Sequence, residues 1–374
     1  MRQVGASDIV VIGAGVIGAA IARELSARGA TVSLLDARLP GAGATQASGG
    51  MLAPYSEAGE GGPLLALGIR SLGLFDAFVA RLQADSGTPL EYERSGTLHV
   101  AREEDSLSHF EATARVLADL GVDARVLSGA EARRAEPSLA PDVFGGLLIP
   151  QQGIVSASAL TRALLADAHR TGTTLLEPAR AERLTGESGD IRIDTDRGSI
   201  VAGTVVLAAG AWAGQIAIEG AAPLPVRPVR GQLLHLGWSG PPLARITWDE
   251  RCYLVPWRDG TLLVGATVEE AGFEERTTVG GVRRLFEAVC DLLPNAWNAS
   301  LLSARVGLRP ASPDPLPIIG WSQVLPRLMY ATGHYRNGIL LAPLTAQIVA
   351  DAVLGTKDDD ALRVTSPTRL GQKF

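Results

Sequence analysis

Between Asp8 and Asp36 an apolar run, Ile9 to Ile12, turns on Gly13, Gly15 and Gly18 into an alanine-rich segment, and a second apolar run, Val32 to Leu35, ends in an acid. Strand, glycine turn, helix, strand and acid in that order form the βαβ unit that binds dinucleotides. Gly13 permits the tight turn, Gly15 lets backbone approach a pyrophosphate, and Gly18 lets helix and sheet pack closely. The helix N-terminus adds N–H donors and a positive dipole end. Asp36 can accept both ribose hydroxyls, and an acid there disfavours a 2′-phosphate, which leaves NAD or FAD. A lone GxGxxG is weak; its flanking strand, helix and acid give it weight.

With 374 residues, 46% of them hydrophobic, the chain can bury two or three ordinary cores. Its net charge of −6 carries no basic footprint for a polyanion, so nucleic-acid binding is not expected. Two cysteines, Cys252 and Cys290, exclude a disulfide framework and fit a reducing cytoplasm. Neither they nor His99 and His109 have partners at metal-ligand spacing, so no metal is expected. The start from Met1 leaves no room for a signal peptide, and the run Ile9 to Ala22 is too short to span a bilayer. Gly338 to Leu354, which contains Asp351, reads as a packed helix, and no membrane partner is expected.

After Asp36, a loop with four glycines holds Thr45-Gln46-Ala47-Ser48-Gly49-Gly50-Met51, where Thr45 is expected to cap a short helix whose small residues admit a flat ring or phosphate. Helical spacing predicts a helix over 64–82, and further helices over 103–120, 129–136, 159–169 and 279–292. Strands are expected at 97–100, near Leu175 and Ile191, and over 204–207, 229–236, 251–256 and 262–266. The small residues Ala208, Ala209 and Gly210 end one of them, suiting backbone against a cofactor.

Four motifs then sharpen the reading: Ala47-Ser48-Gly49-Gly50-Met51-Leu52, Cys252-Tyr253-Leu254-Val255-Pro256, Gly307-Leu308-Arg309-Pro310, and the run from Gly333 through His334, Tyr335, Arg336, Asn337, Gly338 and Ile339 to Pro343. With the N-terminal unit they give a chain that, over nearly its full length, resembles the D-amino-acid-oxidase-like family of FAD enzymes, and within it the glycine oxidases of the thiamine pathway. The resemblance implies an α/β fold. A doubly wound, Rossmann-like FAD domain would form from 1–85, 145–222 and 305–374, with an inserted mixed β-sheet substrate domain from 86–144 and 223–304. It implies FAD with its pyrophosphate over the turn Gly13, Gly15, Val16, Ile17 and Gly18 and its ribose on Asp36 and Ala37. The rest of the cofactor would lie against Ala44, Thr45, Gly49, Gly50, Met51, Ala181 and Gly210, and against His334, Tyr335, Arg336, Asn337, Gly338, Ile339 and Leu340. It places Tyr253, Arg309 and Arg336 on the substrate carboxylate, and it suggests a homotetramer. The chain departs from the pattern at Arg251, where the pattern has His, and at Val268, where it has Met beside the substrate.

The residues themselves support that chemistry. An amino-acid carboxylate needs a fixed cation, and arginine supplies two parallel hydrogen bonds. Arg309, set between Leu308 and Pro310, is an improbable unpaired core charge otherwise. No His or Glu stands out as a base, so no acid/base residue is assigned, which fits direct hydride transfer from a neutral amine with the protein positioning the C–H bond. Neither cysteine suits a covalent flavin link, so non-covalent FAD is expected. The expected reaction takes glycine, sarcosine or a small D-amino acid to an imine with O2 as acceptor. The alternatives are a dehydrogenase passing electrons elsewhere, a tRNA-modifying oxidase, and a flavin-binding module without catalysis.

Overall fold

The computed structural model describes residues 7–56, 61–176 and 178–374; the reading of the N-terminus at Met1 lies outside them. Strand β1 (Ser7–Ile12) leads through the glycine turn into helix α1 (Val16–Ala27), and β2 (Val32–Leu35) returns parallel to β1 with Ile12 beside Leu35. Gly13 has φ of +109°, where a side chain is strained. A methyl group at Gly18 would lie 1.7 Å from the Gly13 carbonyl oxygen and 3.4 Å from Val11 Cγ1. Gly18 therefore buttresses the turn itself more tightly than it packs on the sheet.

On its other edge β1 pairs in parallel with the strand Gly198–Leu207, whose last residues pair in parallel with Leu328–Thr332. Where they pair in parallel, at 9–12, 205–207 and 328–331, these central strands are continuous apolar runs because both faces are covered, as parallel sheets require. One face packs against α1 and the helices Pro63–Ser86, Ala157–Arg170 and Gly338–Leu354; the other buries Val10, Ile12, Leu35, Leu184 and Tyr330. An antiparallel ladder, Ala181–Glu187 with Asp190–Thr195, extends the sheet.

The second sheet has eight strands, in the order 300–311, 227–237, 261–265, 253–256, 246–248, 97–101, 145–149 and 125–128. It is mixed, since Ile246–Trp248 runs parallel to Thr97–Ala101 among otherwise antiparallel neighbours. Helix Val279–Leu292 covers one face through Leu285, Val289 and Leu292. The divisions expected at 145 and 305 cut across this sheet, because Gly145–Ile149 and Ser300–Ala311 are both strands of it.

Local differences from the sequence reading have simple causes. The helix expected over 64–82 runs from Pro63 to Ser86, where Gly87 in the left-handed region ends it. It is long and apolar enough to cross a membrane by length and composition. In the fold it buries Leu72, Phe75 and Leu82, and Arg70 pairs with Asp359 at 2.5 Å. The strand Ser300–Ala311 lacks a clean alternation of buried and exposed residues, so its sequence carries no strand signal. Thr45 does not cap its own turn, Ala44–Ala47; its Oγ1 accepts from the Val16 N–H at 3.1 Å, capping α1 from across the loop. Gly15, the N-terminal cap position of α1, has no side-chain oxygen for that task.

Candidate functional site

A cavity of about 810 Å³ runs from the N-terminus of α1 to the inner face of the second sheet. At the α1 end, Gly13, Gly15, Val16 and Ile17 line it, with Asp36 and Ala37 beside them. The first-turn N–H groups of a helix have no intrahelical acceptor; here the Val16 N–H is taken by Thr45 Oγ1, and Gly15 and Ile17 line the cavity beside it. The Asp36 carboxylate is fixed by the backbone, Oδ2 accepting from Ala14 N–H at 2.6 Å and Oδ1 from Arg38 N–H at 2.8 Å. A methyl group at Gly15 would meet only Thr45 Oγ1, at 3.4 Å, so the space above the turn is open to a ligand. An open glycine cradle, helix N–H donors and a fixed acid together fit the pyrophosphate and ribose of a dinucleotide.

Ala44, Thr45, Gly49, Gly50 and Met51 line the middle of the cavity, opposite Ala181 and Gly210. His334, Tyr335, Arg336, Gly338 and Ile339 close it from the C-terminal turn. Three expected residues lie outside the lining. Gly18 supports the turn from behind, Asn337 caps the helix Gly338–Leu354 by position, and Leu340 is buried with its carbonyl accepting from Ser71 Oγ at 2.5 Å.

Tyr253 and Arg309 form the far wall. Arg309 stands on the strand Ser300–Ala311 opposite Val229, and its guanidinium lies flat on Gly231, where an added Cβ would be 2.5 Å from Cζ. Its Nη1 donates to the Thr267 carbonyl at 2.9 Å and the Arg230 carbonyl at 3.5 Å. Among the described residues no carboxylate is ion-paired with it. Burial lowers its pKa, as does the charge of Arg336. A desolvated cation held only by carbonyls is a site for an anion. The Tyr253 ring lies on Gly265, where a Cβ would come within 2.3 Å of the hydroxyl. Burial raises the Tyr253 pKa, opposed by Arg309 and Arg336, so the phenol keeps its proton at neutral pH.

Sequence reasoning missed Trp248, which stacks on His99 at 5.3 Å, meets Tyr253 edge-on at 5.7 Å and has the Arg336 guanidinium 5.7 Å from its ring. It also missed Arg38 and Trp212 in the lining. No motif marks them. Of the two departures, Arg251 pairs with Asp291 at the surface, and Val268 is 62% exposed and outside the lining. His334 is buried, and its Nε2 is 3.1 Å from Thr345 Oγ1; burial pushes its pKa down to about 3, so it is neutral. Among the described residues no group of three His, Cys, Asp or Glu side chains is placed to hold a metal ion.

The chain is 38% identical over 95% of its length to the bifunctional protein ThiO/ThiG of Nostoc sp. strain PCC 7120, and it spans about half (54%) of that relative. It is 34% identical to the glycine oxidase of Geobacillus kaustophilus over 92% of each chain. The crystal structure of glycine oxidase from Geobacillus kaustophilus superposes with a TM-score of 0.93 at 33% identity, covering 98% of this chain and 99% of the other. That of an iminodiacetate oxidase from Chelativorans sp. BNC1 gives 0.88 at 28% identity, covering 96% and 98%. The family model for FAD dependent oxidoreductases, DAO, matches residues 8–352. The chain belongs to this DAO family of FAD-dependent oxidoreductases.

Proposed function

We propose that the enzyme oxidises the amine of glycine, or of sarcosine or a small D-amino acid, to an imine that water converts to an oxo acid and an amine or ammonia, with O2 reduced to hydrogen peroxide. The observation that carries this reading is Arg309, a desolvated cation without a carboxylate ion-paired to it among the described residues, in the same cavity as the dinucleotide cradle. Arg309, with Tyr253 and Arg336, would hold the substrate carboxylate. Gly13, Gly15, Val16 and Ile17 would hold the FAD pyrophosphate, Asp36 the ribose, and the segments around Gly49–Met51 and His334–Ile339 the rest. FAD, when bound, supplies the two-electron acceptor.

The chain's own part is orientation. A bidentate arginine fixes the carboxylate plane, and the Tyr253 hydroxyl, still protonated, adds a donor. Neither Tyr253 nor neutral His334 is suited to remove a proton at neutral pH: the phenol is not ionised, and the imidazole is a very weak base. The substrate must arrive with its amine already neutral. The similarity to an iminodiacetate oxidase supports including N-substituted glycines such as sarcosine among the substrates. The resemblance to the thiamine-pathway glycine oxidases gives the imine a use in thiazole synthesis. Cys252 and Cys290 are buried between the second sheet and helix Val279–Leu292 and neither lines the cavity, which supports non-covalent FAD.

The test is anaerobic mixing of the yellow holoenzyme with glycine, sarcosine, D-alanine and D-proline. Bleaching by glycine or sarcosine is expected, with colour and stoichiometric peroxide returning on exposure to air. Bleaching by none of the four would remove the reading. Bleaching that air does not reverse would favour a dehydrogenase.

A further inference from the structure

The segment between strand Thr261–Gly265 and helix Val279–Leu292 reaches from the second sheet back to the nucleotide-binding half. Near its start the Thr267 carbonyl accepts from Arg309, and Glu269 is locked to Arg230 at 2.5 Å. Farther on, Glu275 pairs with Arg38 at 2.7 Å, and the Phe273 ring lies 6.1 Å from that of Trp212. Arg38 in turn lies 4.3 Å over the Trp212 ring. Arg38 and Trp212 line the cavity yet stay partly exposed, which puts them at its rim; Phe273 and Glu275 do not line it. Phe273 is 40% exposed, and its aromatic neighbour is Trp212.

We propose that Phe273 and Glu275 are positioning residues that clasp the rim of the FAD cavity, holding Trp212 and Arg38 in place and setting how fast the cofactor leaves. Without them, two long side chains at the rim regain rotamer freedom, so fixing them costs entropy each time the cavity closes around its ligand. The clasp ties this segment of the second sheet to Arg38, just after β2, and to Trp212, in the short turn Gly210–Gln215. One segment thereby touches both the cofactor rim and, through Thr267, the carboxylate-facing arginine.

The experiment follows FAD release by the rise in flavin fluorescence after large dilution of the holoenzyme, which makes rebinding negligible, so no substrate is involved and failure of the glycine reading leaves the test intact. Glu275→Gln should speed release about threefold, the size of an exposed ion pair. Phe273→Ala should speed it about fivefold, the size of an aromatic contact. High salt should raise the wild-type rate towards that of Glu275→Gln and leave that variant unchanged. Phe273→Tyr should keep the wild-type rate, and the Tm of the apoprotein should match wild type in all three. Release at the wild-type rate from both Glu275→Gln and Phe273→Ala would overturn the clasp. So would acceleration shared by Phe273→Tyr, or acceleration accompanied by an equal loss of apoprotein Tm.

Discussion

At the nucleotide end of the cavity the glycine turn and the fixed acid come from a single unbroken stretch, β1 through Asp36, while Arg38, Arg180, Glu182 and Asp196 add charged side chains to the lining around it. At the arginine end they are side chains, and each is seated by a residue far away in sequence: Arg309 on Gly231 and the Thr267 carbonyl, Tyr253 on Gly265. A backbone-made site is constrained by steric rules at fixed spacing, so it survives as a short motif. A side-chain-made site is constrained by what lies across the sheet, and the short motifs around Tyr253 and Arg309 do not show which distant residues seat them.

Arg309→Leu gives the sharpest separation of the two ends. The variant should fold and purify yellow, because nothing at the α1 turn touches Arg309. Removing one partner of a buried charge pair costs about 3–5 kcal/mol, so kcat/KM for glycine should fall by about two to four orders of magnitude. Arg309→Lys should recover part of the loss, since a point charge replaces a fork. A yellow Arg309→Leu enzyme within about threefold of wild type would show that the carboxylate is held elsewhere, with Arg336 the next candidate.

The mirror experiment is Gly18→Ala. Its methyl group would sit 1.7 Å from the Gly13 carbonyl oxygen, and the fixed turn has nowhere to move without shifting the cradle. Overpacking of this kind costs about 1–3 kcal/mol, which appears as FAD affinity weakened by about ten- to a hundredfold in titrations of the apoprotein. Unchanged FAD affinity would mean that the turn is less rigid than its geometry implies.

Legibility followed the same division. The βαβ unit, the small-residue loop and the strand ending at Leu207 could be read because each obeys a local rule. Arg309 is marked twice in the sequence, by the motif Gly307-Leu308-Arg309-Pro310 that carries the resemblance and by being an arginine amid apolar neighbours, whereas nothing local marks the strand it stands on. Trp248, Arg38 and Trp212 were missed because an aromatic or arginine in a strand or loop reads equally well as surface or core. Thr45 has the spacing of a local cap, and sequence spacing cannot show that Val16 lies beside it.

A smaller effect tests whether the glycine beneath the guanidinium matters as much as the arginine's own neighbours. In Gly231→Ala the new Cβ would lie 2.5 Å from Cζ, Nη1 and Nη2 of Arg309. The guanidinium must lift off the strand, at a cost of about 1–2 kcal/mol, so KM for glycine should rise about five- to thirtyfold with FAD affinity unchanged. A matching loss of FAD affinity would mean that the two ends are not separable.

The smallest expected effect concerns His334, which lies in the turn that borders both ends. Its imidazole is buried and neutral, with a pKa pushed from 6.5 down to about 3. The unfolded chain therefore binds a proton at this residue as pH drops below about 6.5, while the native state does not until near pH 3. Stability from this group is fully present above the unfolded value and is lost as pH falls through that window, at up to about 1.4 kcal/mol per pH unit. Comparing urea unfolding of wild type and His334→Asn at pH 7.5 and 5.5 isolates the term, because all other titrating groups are shared. Wild type should lose about 1.4 kcal/mol more than the variant between those two values. Equal losses would mean that the imidazole accepts a proton without leaving its place against Thr345. The turn would then carry a charge beside Arg336, and the boundary between the backbone-made and side-chain-made ends would itself respond to pH.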